Sequence, residues 1–311
     1  MIQIGSRSFQ KTGYILHHLV IRATVQEHSA GKLIICPTPL GNLGDMPPRA
    51  RTALETCDVV CCEDTRVTGK LLAALGIQKR LERLDEASLG QKADSMLDRV
   101  EAGECVCYCS DAGMPGVSDP GQRLIERAYE RELAVEVLPG GTAVATAYVA
   151  SGFTAPCFYF GGFFPRKAGE RAAVLESLRA LDAVLVFYES PNRIVSALEA
   201  VAEAFSLRNV AVCRELTKIH EEVVRGLSGE VAQEFAKRAA EGQVKGEIVL
   251  VIDAPSTAEV DAQASASAHD AREEAAALLA AGELSKKEIV AHLRKAHGLS
   301  RNDAYEIVHG A

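Results

Sequence analysis

The residues best suited to chemistry fall in short polar segments, each at an edge of an apolar run. Glu63, Asp64, Arg66 and Lys70 lie together in EDTRVTGK, directly after the run Val59 to Cys62. Two carboxylates, an arginine and a lysine at the mouth of a buried strand could position a hydroxyl substrate and steer its phosphates. The same residues also suit a plainer role, an N-cap at Asp64 or Thr65 followed by solvated charges. Residues 110–121, SDAGMPGVSDPG, are too long and too rich in special residues for a simple connection, and Ala112, Gly113 and Gly116 leave room for a ligand against the backbone. LPGGTA, residues 138–143, makes a sharp strand-to-helix turn whose free amides could face a carboxylate or a ribose.

PTPLGNLGD, residues 37–45, has glycines that let backbone amides approach a ligand, but its spacing is neither G-x-G-x-x-G nor a G-K-[ST] loop. That speaks against a Rossmann dinucleotide site and a Walker loop. The second half of the chain adds FYESPNR at 187–193, RELTK at 214–218 and KGE at 245–247.

Other chemistries are poorly supplied. Of eight histidines, only His220 falls in the middle of the chain, too few for a Ser-His-Asp hydrolase or an H-E-x-x-H metalloenzyme. No C-x-x-C occurs among nine cysteines, and Cys105, Cys107 and Cys109 alternate as small hydrophobes on one strand face would, so neither a metal site nor a disulfide framework is expected. The net charge of −8 argues against a protein that coats nucleic acid. No apolar run approaches the roughly 20 residues of a membrane span, and no secretory cleavage site is evident; a cytoplasmic protein is expected.

The elements that must position these segments follow from 48% hydrophobic residues in 311, enough for about two domains with real cores. Apolar runs at Leu33 to Cys36, Val59 to Cys62, Val106 to Cys109, Ala134 to Leu138, Phe158 to Phe160, Val184 to Tyr188, Val210 to Cys213 and Ile248 to Ile252 alternate with helical stretches. Near-continuous apolar strands separated by helices mark sheets covered on both faces, the α/β class. In open α/β sheets ligands sit at the carboxyl ends of strands, so the polar segments belong together. Five parts are expected: an extension, 1–31; an N-terminal α/β lobe, 32–152; a C-terminal α/β lobe, 153–253; an alanine- and acid-rich linker, 254–282; and a helical pair, 283–311, opened by Ser285 and Ser300 as caps. The pair could be a helix-turn-helix that touches RNA or a hairpin docking on its own protein.

The ordered set PTPLGNLGD, EDTRVTG, SDAGMPGVSDPG, LPGGTA, FYESPNR, RELTK and KGE resembles the ribosomal RNA small subunit methyltransferase I family, within the tetrapyrrole-methylase class of S-adenosylmethionine enzymes. The likeness runs from about Lys32 to Ile252. It implies two α/β lobes with S-adenosylmethionine between them, no metal, a homodimer, and methyl transfer to the ribose 2'-hydroxyl of a decoding-site cytidine in 16S rRNA. By motif, the cofactor should contact Leu40, Gly41, Asp111, Gly113, Met114, Thr142, Ala143, Phe187, Leu216 and Gly246. An activated sulfonium methyl mainly needs in-line approach of an oxygen and an acceptor for its proton. Glu63 and Asp64 are the first candidates for that acceptor, with Arg66 steering the neighbouring phosphate and Glu189 and Lys245 behind them. Lys70, Arg193 and Lys218 are expected to bind substrate, within a basic rim that also takes in Arg66, Arg166, Lys167 and Arg171.

Met114 stands where the pattern has threonine, Gly141 where it has proline, Asn192 where it has histidine, and residues 83–88 lack an expected His/Asn segment. The first two touch the cofactor loops; the others bear on substrate contacts. Two other readings share the features: a methyltransferase acting on a corrin precursor, and an RNA-binding module that holds S-adenosylmethionine without turnover.

Overall fold

Lys32–Ile35 (β1) begins the ordered core of the computed structural model, which describes residues 31–310. The expected extension lies outside the described residues except for Gly31. In the first lobe β1 is followed by α1 (Pro48–Thr56), β2 (Val59–Cys62), α2 (Thr65–Leu75), β3 (Leu81–Arg83), α3 (Glu86–Glu101), β4 (Cys105–Cys109), α4 (Gly121–Glu130) and β5 (Ala134–Val137). Their sheet is wholly parallel, in the order β3-β2-β4-β1-β5. It is apolar on both faces because successive residues of each strand point to opposite sides. Leu33 and Ile35 pack with Leu89 and Leu97 of α3 and Leu124 of α4. Ile34 and Cys36 pack with Leu54 of α1 and Leu72 of α2.

The cysteines follow the same alternation. Cys107 and Cys109 are fully buried on the face of α1 and α2, with Cys105 partly buried beside them, while Val106 and Tyr108 point the other way. Burial pushes the Cys61 thiol up to about 12, so it stays protonated and packs as a small hydrophobe.

The chain then forms α5 (Ala143–Ser151), β6 (Phe158–Phe163), α6 (Ala168–Ser177), β7 (Val184–Glu189), α7 (Ile194–Ala204), β8 (Asn209–Arg214), β9 (Glu222–Leu227), α8 (Ser228–Ala240) and β10 (Ile248–Ile252). The second sheet has the order β6-β7-β10-β8-β9 and is mixed: β6 and β7 are parallel, whereas β10 runs antiparallel to both its neighbours and β9 antiparallel to β8. One face packs on α6, α7 and α8 through Leu175, Leu198 and Phe235. The other is covered by α5, whose Val144 and Ala147 meet Val186, Ala211 and Val251. By packing, therefore, α5 belongs with the second sheet, and the crossing between lobes falls in the turn before it rather than near Gly152.

The stretch read as a linker is a helix, α9 (Thr257–Ala281), opened by a capping box in which Ser256 and Glu259 bond reciprocally. With α10 (Lys286–His297) and α11 (Arg301–His309) it forms a three-helix unit, in which Ala271 and Ala275 are buried against Ile289, Leu293, Ala304 and Val308. The small Ala271 and Ala275 side chains let the helices approach closely. Glu274 joins α9 to α10 by accepting from His292 and His297. The terminal pair thus docks on its own chain. None of the described helices is long and apolar enough to cross a membrane.

Candidate active site

Parallel strands bring the ends of β1, β2, β4 and β5 to one edge of the first sheet, so the polar segments after them converge. In the second sheet the ends of β7 and β8 share an edge with the start of β10, because β10 is antiparallel to both. The two edges face each other across a cleft of about 460 Å³.

The first lobe contributes Leu40, Glu63, Asp111, Gly113, Met114 and Asp119; Thr142 and Ala143 start α5; the second lobe contributes Phe163, Tyr188, Glu189, Leu216, Gly246, Glu247 and Val249. The floor is largely apolar, yet Glu63, Asp111, Asp119, Glu189 and Glu247 give the lining five carboxylates, and no lysine or arginine is among the lining residues.

Two glycines meet needs no other residue would. Gly113 pairs with Thr38 through bonds in both directions, at 2.9 and 3.1 Å, with φ +80°; a β-carbon there would lie 2.9 Å from Leu40. Gly246 has φ +91°, and its β-carbon would fall 2.4 Å from the Glu215 carboxylate. Asp119 braces its loop by accepting the amides of Gly116, Val117 and Gly121 at 2.7, 3.2 and 2.8 Å.

The two adjacent carboxylates after β2 part company. Glu63 faces the cleft and accepts the Asp111 amide at 3.2 Å. Burial, aided by the charges of Asp119 and Asp111, pushes its carboxyl up to about 6. Asp64 instead caps α2, accepting the Arg66 amide at 2.8 Å and gripping the Arg66 guanidinium at 2.6 Å. The Arg66 side-chain bond holds the Asp64 carboxyl well below the usual carboxylate range. Asp64, expected as a proton acceptor beside Glu63, is not among the lining residues, and the start of α2 claims its side chain.

Of the ten expected cofactor contacts, Leu40, Asp111, Gly113, Met114, Thr142, Ala143, Leu216 and Gly246 line this one cleft. Phe187 does not. Its ring is buried among Phe164, Leu198 and Phe235 on the far face of the sheet, and strand alternation turns Tyr188 to the cleft instead. Gly41 borders a separate, shallower depression with Thr217, Lys218 and Ile219, packed so closely that a β-carbon would come within 2.3 Å of the Lys218 side chain.

The expected basic rim is depleted by internal pairing. Arg193 is bound to Glu189 at 2.5 Å, and Lys218 bridges Glu215 and Glu247 at 2.8 and 3.0 Å. Arg171 is buried, bonding the carbonyls of Pro165 and Arg166 and the Ser196 hydroxyl. Arg66, Lys70, Arg166 and Lys167 remain at the surface, and Lys70 follows Arg66 by one helical turn on α2. Lys245 is exposed and is not among the lining residues.

Sequence reasoning missed Tyr188, Phe163, Asp119 and Glu247. Strand parity would have found Tyr188, since Leu185 and Phe187 belong to one face and Val186 and Tyr188 to the other.

A family model of tetrapyrrole (corrin/porphyrin) methylases matches residues 32–232. The chain belongs to this family. Within it, the chain falls among proteins named ribosomal RNA small subunit methyltransferase I. One from Mycobacterium bovis is 43% identical over 227 residues, covering 72% of this chain and 78% of its own length. One from Escherichia coli O157:H7 is 36% identical over 281 residues, covering 90% and 95%. The resemblance read from the seven segments is borne out. Among solved structures of the fold, a cobalt precorrin-4 methyltransferase of cobalamin biosynthesis aligns with TM-score 0.52 at 17% identity, over 71% of this chain and 94% of that one. At that identity the likeness is one of fold, and it extends the family's two-lobed architecture to this chain.

Proposed function

We propose that this chain is an S-adenosylmethionine-dependent methyltransferase acting on 16S rRNA in the small ribosomal subunit, at the ribose 2'-hydroxyl of a decoding-site cytidine. The observation that carries the reading is the shared cleft: eight of ten positions expected to touch the donor line it, and a carboxylate poised near neutrality stands in it at Glu63. The similar protein from Escherichia coli O157:H7 named for rRNA methylation aligns with 90% of this chain.

The cleft suits the donor. Leu40, Met114, Leu216 and Val249 supply apolar surface, Gly113 and Gly246 bring backbone close, and the surplus of carboxylates in the lining favours a cationic sulfonium. When bound, the donor supplies an activated methyl group and needs no metal. The chain's own residues hold the acceptor hydroxyl in line, exclude water and take up its proton, the last at Glu63, whose carboxyl near 6 is a base at neutral pH. Lys70, exposed on α2, and Arg66, exposed one turn before it though paired with Asp64, lie where phosphates outside the cleft could meet them.

The corrin reading fares worse on charge. A precursor carrying several carboxylates would enter a cleft lined by five more with no lysine or arginine to receive it. RNA need insert only a sugar edge. We further read the chain as a cytoplasmic homodimer, with Phe158 and Tyr159, exposed on edge strand β6, as apolar surface for a second copy.

The test is methylation of small subunits purified from a strain lacking this gene, with ribose methylation mapped in their 16S rRNA. Incorporation at one decoding-site cytidine is expected. Incorporation into corrin precursors alone, or saturable donor binding without turnover, would establish one of the other readings.

A further inference from the structure

The edge strand β6 carries one residue more than its neighbour matches. Phe160 pairs with Val186 and Phe163 with Tyr188, so three steps along β6 meet two along β7, and the register shifts between them. Plain alternation would turn Phe163 away from the face that Phe160 occupies. The bulge returns it to that face, with Gly162 in the left-handed region at φ +68°. The rings of Phe160 and Phe163 both stand edge-on to Tyr188, at 4.9 and 5.5 Å between centroids.

The outcome is a phenyl ring turned to the cleft and left open. Phe163 lines the cleft yet is 61% exposed, more than any other aromatic ring among the described residues, whereas the next residue, Phe164, is buried. Tyr188 backs the ring, and the turn beyond it is pinned by the buried Arg171, which donates to the carbonyls of Pro165 and Arg166 at 2.8 and 3.0 Å. Arg166 itself is exposed three residues from the ring, with no ion-pair partner among the described residues. Phe158 and Tyr159 open the same strand at its other end, roughly 15 Å away, so Phe163 is apart from the surface they form.

An aromatic face takes up a flat, uncharged group. The cleft lining holds five carboxylates and no lysine or arginine, so it repels phosphate, and an RNA strand can enter only by sugar and base with its phosphates kept outside. A fixed aromatic face with a cation beside it suits an unstacked base and its backbone.

We propose that Phe163 is the stacking platform for a nucleobase of the RNA substrate, the one carried by the ribose that enters the cleft, and that Arg166 meets the adjoining phosphate. This role rests on the rRNA methyltransferase reading above and deepens it, naming the side chain that holds the target nucleotide out of its stack.

Phe163→Ala, Phe163→Leu and Phe163→Trp in the full-length chain test it, and because the ring is exposed each should fold. Calorimetry gives the affinity for S-adenosylmethionine without RNA, methylation at saturating donor gives kcat/KM for small subunits, and sedimentation gives the oligomeric state. In the alanine and leucine variants kcat/KM should fall by about five- to a hundredfold, while tryptophan, which keeps a ring face, should retain it. Donor affinity and oligomeric state should not change. Arg166→Ala should make kcat/KM less sensitive to salt, and an unchanged slope would overturn the phosphate contact.

A fall in donor affinity would give the ring to the adenine of the donor, and a changed oligomeric state would give it to a second copy; either overturns the platform. So would wild-type kcat/KM in the alanine variant, or a leucine variant as active as wild type. A wild-type chain that neither binds the donor nor methylates subunits would instead overturn the methyltransferase reading, and this role with it.

Discussion

Glu63 and Asp111 are locked to each other across the cleft edge of the first sheet: the Glu63 carboxylate accepts the Asp111 amide at 3.2 Å, while the Asp111 carboxylate accepts the amide of Asp64, the next residue, at 3.1 Å. The crossed pair fixes the loops after β2 and β4 against each other and holds the Glu63 carboxylate by one oxygen. Replacing Glu63 with glutamine keeps an oxygen for the Asp111 amide but removes the base. Methyl transfer to small subunits should fall by about a hundredfold or more, with donor affinity changed far less. Near-wild-type transfer by Glu63→Gln would falsify the role.

The pH profile should follow from the same group. Its carboxyl is pushed up to about 6, so the basic form is scarce below that pH and dominant above it. Single-turnover rates are expected to climb through about pH 6 to a plateau near neutrality, and Glu63→Gln should flatten that limb. A rise unaltered by the substitution would assign it to another group.

Asp64→Asn should behave quite differently. Asparagine caps helices about as well as aspartate, so α2 keeps its start, while the hold on Arg66 weakens. Most of the transfer activity should survive. A loss as deep as that of the Glu63 variant, in steady-state assays, would restore Asp64 to the chemistry.

Gly161 sits against the buried ring of Phe187: a β-carbon there would lie 2.1 Å from the ring. Gly161→Ala must therefore displace the ring or part β6 from β7. A destabilisation of about 1–3 kcal/mol is expected from a shifted denaturation midpoint. An unchanged midpoint would mean that the ring moves freely.

The three-helix unit should respond separately from the lobes. Leu293 is fully buried between α9, α10 and α11, and Leu293→Ala should cost that unit about 2–5 kcal/mol. Hydrogen exchange should rise across residues 257–309 and stay unchanged in β1, β4 and β10. Uniform acceleration over the whole chain would show one cooperative unit instead.

The α/β class and eight of the strands were legible because each is a mostly apolar run, and the central ones, such as Val59–Cys62 and Ile248–Ile252, are continuous and buried on both faces. β3 and β9 were not, since Leu81–Arg83 is three residues long and Glu222–Leu227 is interrupted by charge and glycine at a sheet edge. Strand direction was hidden as well: nothing in Ile248–Ile252 reveals that β10 runs against its neighbours. At the site, loop composition located most of the cleft, but a side chain's aim depends on geometry. Phe187 and Tyr188 differ by one step of strand alternation, and Glu63 and Asp64 by one residue at a helix start, and in each pair only one faces the cleft.

The last strand of the second sheet is inserted at its centre, between β7 and β8. Until Ile248–Ile252 emerges during synthesis, those two strands have no hydrogen-bonding partner between them, and Gly246, Glu247 and Val249 are missing from the wall. A nascent or truncated polypeptide ending short of residue 248 thus carries nearly every polar segment yet no finished chamber. The cleft wall is complete only with that closing strand in place.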